Sequence, residues 1–175
     1  MIIDSHVHIG NWDYKWFSHL NRYPIMEIFK DGIIDKAVFI PSDQKQNHIL
    51  LKELYRVCRQ DRFFFVPWFD PKDFRSEGTF KFIGENINQI YGLKVHAGID
   101  KIECSIANSK YKPLLSLAKS FGLPLLVHCG RWEEMSGWKH LLKTAELYPD
   151  LKFIGAHLGG DREDLKILAL CNTIQ

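Results

Sequence analysis

Five of the eight histidines in this 175-residue chain stand at or near the ends of short apolar runs. His6 and His8 close the first run, Met1–His8 (MIIDSHVH), two residues apart. His96 ends Gly92–Ala97 (GLKVHA), His128 ends Leu123–Cys129 (LPLLVHC) and His157 ends Lys152–Leu158 (KFIGAHL). Imidazole nitrogens bind zinc at about 2 Å, and a catalytic zinc site keeps three protein ligands and an open position for water. Such a metal lowers the pKa of its bound water toward ~7 and supplies hydroxide at neutral pH. Residues two apart on a strand share a face, so alternation puts Asp4, His6 and His8 on one side and Ile3, Val7 and Ile9 on the other. One rigid strand then presents two ligands, and little entropy is lost when a metal binds. His157 is the candidate base, able to orient the water or protonate a leaving group. A lone histidine at a strand end is usually an ordinary core or rim residue, and an isolated HxH arises by chance. The signal is their recurrence at four strand ends. His19, His48 and His140 fall in helical or loop stretches and are read as structural.

Those positions require strands that end together. Two further apolar runs, Lys36–Pro41 (KAVFIP) and Phe63–Phe69 (FFFVPWF), complete a set of six. They are rich in Val, Ile, Leu and Phe without strict alternation, as expected for parallel strands buried on both faces. Between them lie stripes of helical period. Leu50, Leu51, Leu54, Val57 and Cys58 form one. Leu114, Leu117, Ala118 and Phe121 form another, stopped by Gly122 and Pro124. Trp138, Leu141, Leu142, Ala145 and Tyr148 form a third, before Pro149. One short helix is expected within Asp70–Gln89 and another over Asp161–Cys171. A strand–helix unit recurring roughly every 30 residues is the repeat of a parallel sheet or barrel. In β/α barrels the C-terminal strand ends meet on one rim, where active sites lie. The expected fold is α/β, a TIM-type (β/α) barrel in a single domain, residues 1–175. A complete eight-fold barrel takes about 250 residues, so about six of eight βα units are expected here.

Composition excludes several other classes. Hydrophobic residues make up 46% and charged residues 25%, ordinary for a globular chain. The net charge is +2, from 23 Lys and Arg against 21 Asp and Glu, with no basic block to mark a nucleic-acid surface. No apolar run approaches the roughly 20 residues of a membrane span, and the N-terminus lacks a charged region before an apolar stretch, so no signal segment is expected. Cys58, Cys104, Cys129 and Cys171 form no CxxC pair, so neither a disulfide framework nor a zinc knuckle is expected. Buried free thiols in a reducing cytoplasm are the plain reading.

The segments Asp4-Ser5-His6-Val7-His8, Gly92-Leu93-Lys94-Val95-His96, Leu126-Val127-His128-Cys129-Gly130 and Gly155-Ala156-His157-Leu158-Gly159-Gly160 resemble, in order and strand context, the amidohydrolase superfamily. Within it they are similar to the amidohydrolase-related branch of small metal-dependent hydrolases and aromatic-acid decarboxylases. The resemblance covers essentially the whole chain and rests on the combination of motifs. It implies that His6, His8 and His128 bind metal and that His157 is a further ligand or activates the water. Some superfamily members carry a carboxylated lysine on strand four, which Lys94 matches only loosely; binding a substrate anion, or a plain structural role, is the favoured reading for Lys94. His96 would contact substrate, or the metal from behind its ligands. Zinc is the favoured ion, with manganese, iron or nickel as alternatives.

The implied chemistry is hydrolysis of a small-molecule C–N or C–O bond, or non-oxidative decarboxylation. Arg131 and Trp132 follow the fifth strand directly and are candidate substrate contacts, with Arg131 suited to gripping a carboxylate or phosphate. Trp12, Trp16, Phe17 and Tyr23 could form an aromatic lid, an interface patch, or ordinary packing of the first loop. The family also places a metal-binding aspartate at the end of strand eight, and this sequence reaches Gln175 before that strand. A fragment, or a ring completed by another subunit, is therefore expected, and exposed sheet edges favour a homodimer. Two other readings stand beside this one. A TatD-like deoxyribonuclease or PHP-type phosphoesterase would use two metals bridged by carboxylates; Asp70 is the only acid placed for that, and the near-neutral charge argues against DNA. A truncated, non-catalytic metal-binding barrel is the other.

Overall fold

The computed structural model describes residues 1–10, 25–71, 76–98, 106–130 and 136–159. They fall into two compact units, each built on one three-stranded parallel sheet.

The first unit takes in Met1–Trp68 and Asn86–Tyr91. Its sheet has the order β1 (Ile3–Ile9), β2 (Lys36–Pro41), β3 (Phe63–Phe65). Helix α1 (Asn47–Val57) links β2 to β3 and buries Leu50, Leu51 and Leu54, the stripe its spacing predicts. Ala37, Phe39 and Ile40 of β2 meet Phe63 and Phe65 of β3 in the core, as β-rich apolar runs do when both faces are covered. Beyond β3, Phe65 forms a parallel bridge with Ile90.

β1 departs from expectation in two ways. None of its residues is buried, where the apolar run predicts a strand covered on both faces; within the described sheet β1 is an end strand, bonded along one edge only. It also carries a bulge. Asp4 pairs with Ala37 and Val7 with Phe39, so three steps on β1 match two on β2. The extra residue breaks the strict alternation expected for Asp4, His6 and His8.

The second unit takes in the described residues of Phe69–Glu85 and Gly92–Gln175. Its sheet runs β4 (Leu93–Val95), β5 (Leu125–Val127), β6 (Phe153–Gly155), with Leu93, Leu125 and Phe153 in register. The helix expected within Asp70–Gln89 is α2 (Ser76–Asn86). Helix α3 (Lys112–Phe121) has Pro113 in its first turn and ends at Gly122, whose φ of 64° gives the left-handed cap that glycine adopts without penalty. Helix α4 (Trp138–Leu147) buries Leu141, Thr144 and Ala145. The strands are shorter than the apolar runs that contain them, and β4 and β5 each stop one residue before a histidine. The helix expected over Asp161–Cys171 lies outside the described residues. Among the described residues no helix is long and apolar enough to cross a membrane.

Candidate metal centre and strand-end histidines

In the first unit His6 and His8 converge. Their Nε2 atoms lie 3.0 Å apart, a distance at which either ring can donate to the other, and the ring centroids are 4.9 Å apart. The bulge between Asp4 and Val7, which contains His6, is closed locally: Asp4 Oδ1 accepts a hydrogen bond from His6 N at 3.2 Å. The structure puts the Asp4 carboxylate on the backbone of the first histidine. The His8 ring lies 6.0 Å from the Trp68 indole, tilted by 57°. Just past β1, Gly10 has a φ of 143°, and a Cβ there would overlap Gln46 Oε1 and Ser42 Oγ. The segment after β2 thus closes tightly on the end of the histidine strand.

In the second unit the other three strand-end histidines gather, and the charge of Lys94 acts on His157. His128 N donates to Val95 O at 3.1 Å, which brings the residues following β4 and β5 side by side. The His96 and His128 rings stack at 3.6 Å, within 14° of parallel, and His157 approaches His128 edge-on at 4.8 Å. Lys94 is 0% exposed and His96 4%. His157 sits in the 3-10 turn Ala156–Gly159 with a φ of 56°, a left-handed conformation rare for a side chain of its size. Its pKa is pushed below the ordinary 6.5, first by loss of water around the ring and second by the charge of Lys94. Cys129, beside His128, has its thiol pushed up to about 11 by burial, only partly offset by Lys94. It is a packed thiol, with no thiolate to offer at neutral pH.

The donor set can be tested against a divalent ion. The 3.0 Å gap between His6 Nε2 and His8 Nε2 is close to the ligand–ligand edge expected where metal–nitrogen bonds are about 2 Å. That pair fits. The His96 and His128 rings stack on each other, and among the described residues no group of three His, Cys, Asp or Glu side chains by itself could hold a metal. The structure therefore places His6 with His8, and His96 with His128, His157 and Lys94. Arg131, Trp132, Trp12, Trp16, Phe17 and Tyr23 lie outside the described residues.

Some neighbours of these groups carried no sequence signal. Asn47 and Trp68 are buried beside the His6–His8 strand, and their link spans 21 residues. His140, read from the sequence as structural, lines with His128, Tyr111 and Ser136 a cavity of about 10 Å³, the size of one water.

The backbone matches solved structures over nearly its whole length. Dihydroorotase from Campylobacter jejuni matches with a TM-score of 0.64 at 19% identity, over 99% of this chain and 51% of that one. The 5-carboxyvanillate decarboxylase of Novosphingobium aromaticivorans, complexed with manganese, matches at 0.67 and 13%, over 97% and 67%. The 2,6-dihydroxybenzoate decarboxylase from Rhizobium matches at 0.61 and 15%, over 90% and 66%. These are TIM-barrel enzymes of the amidohydrolase superfamily. The chain shares their fold. It spans about half to two thirds of the length of these relatives, from 51% to 67%. No protein-family model matches the sequence, and no curated protein does. In an amidohydrolase-type barrel the working residues stand at C-terminal strand ends, and His6, His8, His96, His128 and His157 occupy such ends or the turns just beyond them.

Proposed function

We propose that this chain forms about six βα units of a TIM-type barrel and serves a metal-dependent hydrolase or decarboxylase acting on a small carboxylate-bearing molecule. The observation that carries the reading is the His6–His8 pair at the end of β1, with Nε2 atoms 3.0 Å apart. His6 and His8 are the proposed metal-ligating pair, and zinc is the proposed ion, with manganese as the alternative. When bound, the ion supplies a Lewis acid and an activated water.

The chain's own residues do the rest. His157, its pKa lowered, stays neutral at neutral pH, the form able to take a proton at a ring nitrogen or to ligate. Lys94 and His96, both buried, place positive charge and a hydrogen-bonding ring where a substrate carboxylate would lose its water. In such surroundings a charge–carboxylate contact is stronger than in bulk solvent. The decarboxylases that share the fold are named for substrates bearing carboxylates.

The test is turnover by the zinc- or manganese-loaded chain. 2,6-Dihydroxybenzoate, 5-carboxyvanillate and dihydroorotate would be offered, with CO₂ release and ring hydrolysis as readouts. Turnover that is lost in Lys94→Met supports the reading. Equal turnover by Lys94→Met, or cleavage of phosphoesters in preference to all three, contradicts it.

A further inference from the structure

We propose that Asn47 is a positioning residue for the His6–His8 pair: its amide locks the backbone of Trp68, and the Trp68 indole braces the His8 ring. The metal half of this inference rests on the proposed function; the brace itself does not.

β3 ends at Phe65, and the ladder cannot simply continue. Val66 N still donates to Phe39 O at 3.0 Å, but Pro67 has no N–H to offer. At Trp68 the pairing is taken over by a side chain. Asn47 Nδ2 donates to Trp68 O at 2.8 Å, and Asn47 Oδ1 accepts from Trp68 N at 2.9 Å. An amide has one donor end and one acceptor end, so the two bonds copy a strand neighbour and fix which way the group points. The pair is sealed, with Asn47 3% and Trp68 1% exposed.

Asn47 is itself held in place. It opens α1 directly after the 3-10 turn Gln44–Gln46. Asp43 caps that turn: its Oδ1 accepts from Gln46 N at 3.1 Å and its Oδ2 from Gln46 Nε2 at 2.7 Å. The output of this chain of contacts is the Trp68 indole, 6.0 Å from the His8 ring. A ring packed against a ligand histidine limits its rotation, and groups that orient a ligand typically change metal affinity by about 10–100-fold.

The experiment compares the full chain with Asn47→Ala, Asn47→Asp and Trp68→Phe. In the metal-free proteins, the His8 ring proton shifts sense the Trp68 ring current. They are expected to move in all three variants while the His96 ring signals stay put. Zinc affinity, read by competition with a chromophoric chelator, is expected to fall about tenfold or more in Asn47→Ala. Asn47→Asp, which keeps the acceptor but sets a carboxylate oxygen against Trp68 O, should fall at least as far as Ala. If Asn47→Ala does not fold, Trp68→Phe decides, because it keeps the backbone clamp and shrinks the brace. Unchanged His8 shifts, or zinc affinity within about twofold of parent in a folded variant, overturns the proposal. A parent that takes up no zinc overturns the metal reading, and the His8 shifts then decide the brace alone.

Discussion

His6 Nε2 lies 3.0 Å from His8 Nε2. Same-face neighbours on a strand are separated by about 6.6 Å along the chain, so the two rings lean toward each other. Two protonated rings could not hold this contact, because each would present only donors. At least one ring is therefore neutral, the state a metal requires. Asp4, at the start of the bulge, accepts from His6 N and so fixes where the first ring starts.

Replacing Asp4 should loosen that start. Asp4→Ala is expected to lower zinc affinity about tenfold, in line with other residues that orient ligands. Asp4→Asn keeps the accepting oxygen and should stay near parent. Chelator competition measures both, and equal affinity in Asp4→Ala would show that the bulge holds without its carboxylate.

His157 carries a strained backbone conformation. A left-handed φ of 56° costs a non-glycine residue about 1 kcal/mol or more, and Asn tolerates it better than His does. His157→Asn should therefore unfold at the same or a higher urea midpoint than parent, although it removes a ring proposed to take a proton. A loss of more than about 1 kcal/mol would mean that the ring's edge-on contact with His128 holds the turn in place.

The same histidine should titrate below its ordinary 6.5. A histidine with a depressed folded pKa contributes stability that is present above its unfolded pKa. That stability is lost as pH falls through 6.5 toward the folded value. Burial is the larger cause and Lys94 the smaller. Lys94→Met should raise the His157 pKa yet leave it below 6.5. NMR titration of the metal-free chain checks this, and a parent value at or above 6.5 contradicts it.

Gly10 has no room for a side chain, since a Cβ would meet Gln46 and Ser42. Gly10→Ala is expected to destabilise by about 2–3 kcal/mol, from overpacking added to an unfavourable φ. Gly32 has a φ of 66° in open space, so Gly32→Ala should cost only the backbone share, about 1 kcal/mol. Denaturant unfolding of the two variants separates these terms, and equal losses would show that Gln46 and Ser42 simply move aside.

Much of the frame was legible because its signals are local. The stripe from Leu114 to Phe121 with Gly122 behind it reads as a helix and its stop, and both are found. The run Lys36–Pro41 is a strand with those same ends. Histidines could be placed at strand ends because apolar runs and helical stripes alternate. What escaped is non-local. The β1 bulge depends on how β2 pairs with it, and nothing in MIIDSHVH marks an extra residue. Asn47 and Trp68 are ordinary residues until the fold brings them together. The left-handed turn at His157 is hidden as well, since the glycines that usually announce such a conformation stand at other positions.

Elemental analysis of the purified chain, beside a His6→Ala/His8→Ala double variant, tests the central claim most directly. The account predicts about one zinc or manganese per parent chain after loading and none in the double variant, with far-UV circular dichroism unchanged. A parent that takes up no ion, or a double variant that holds as much as parent, would contradict it.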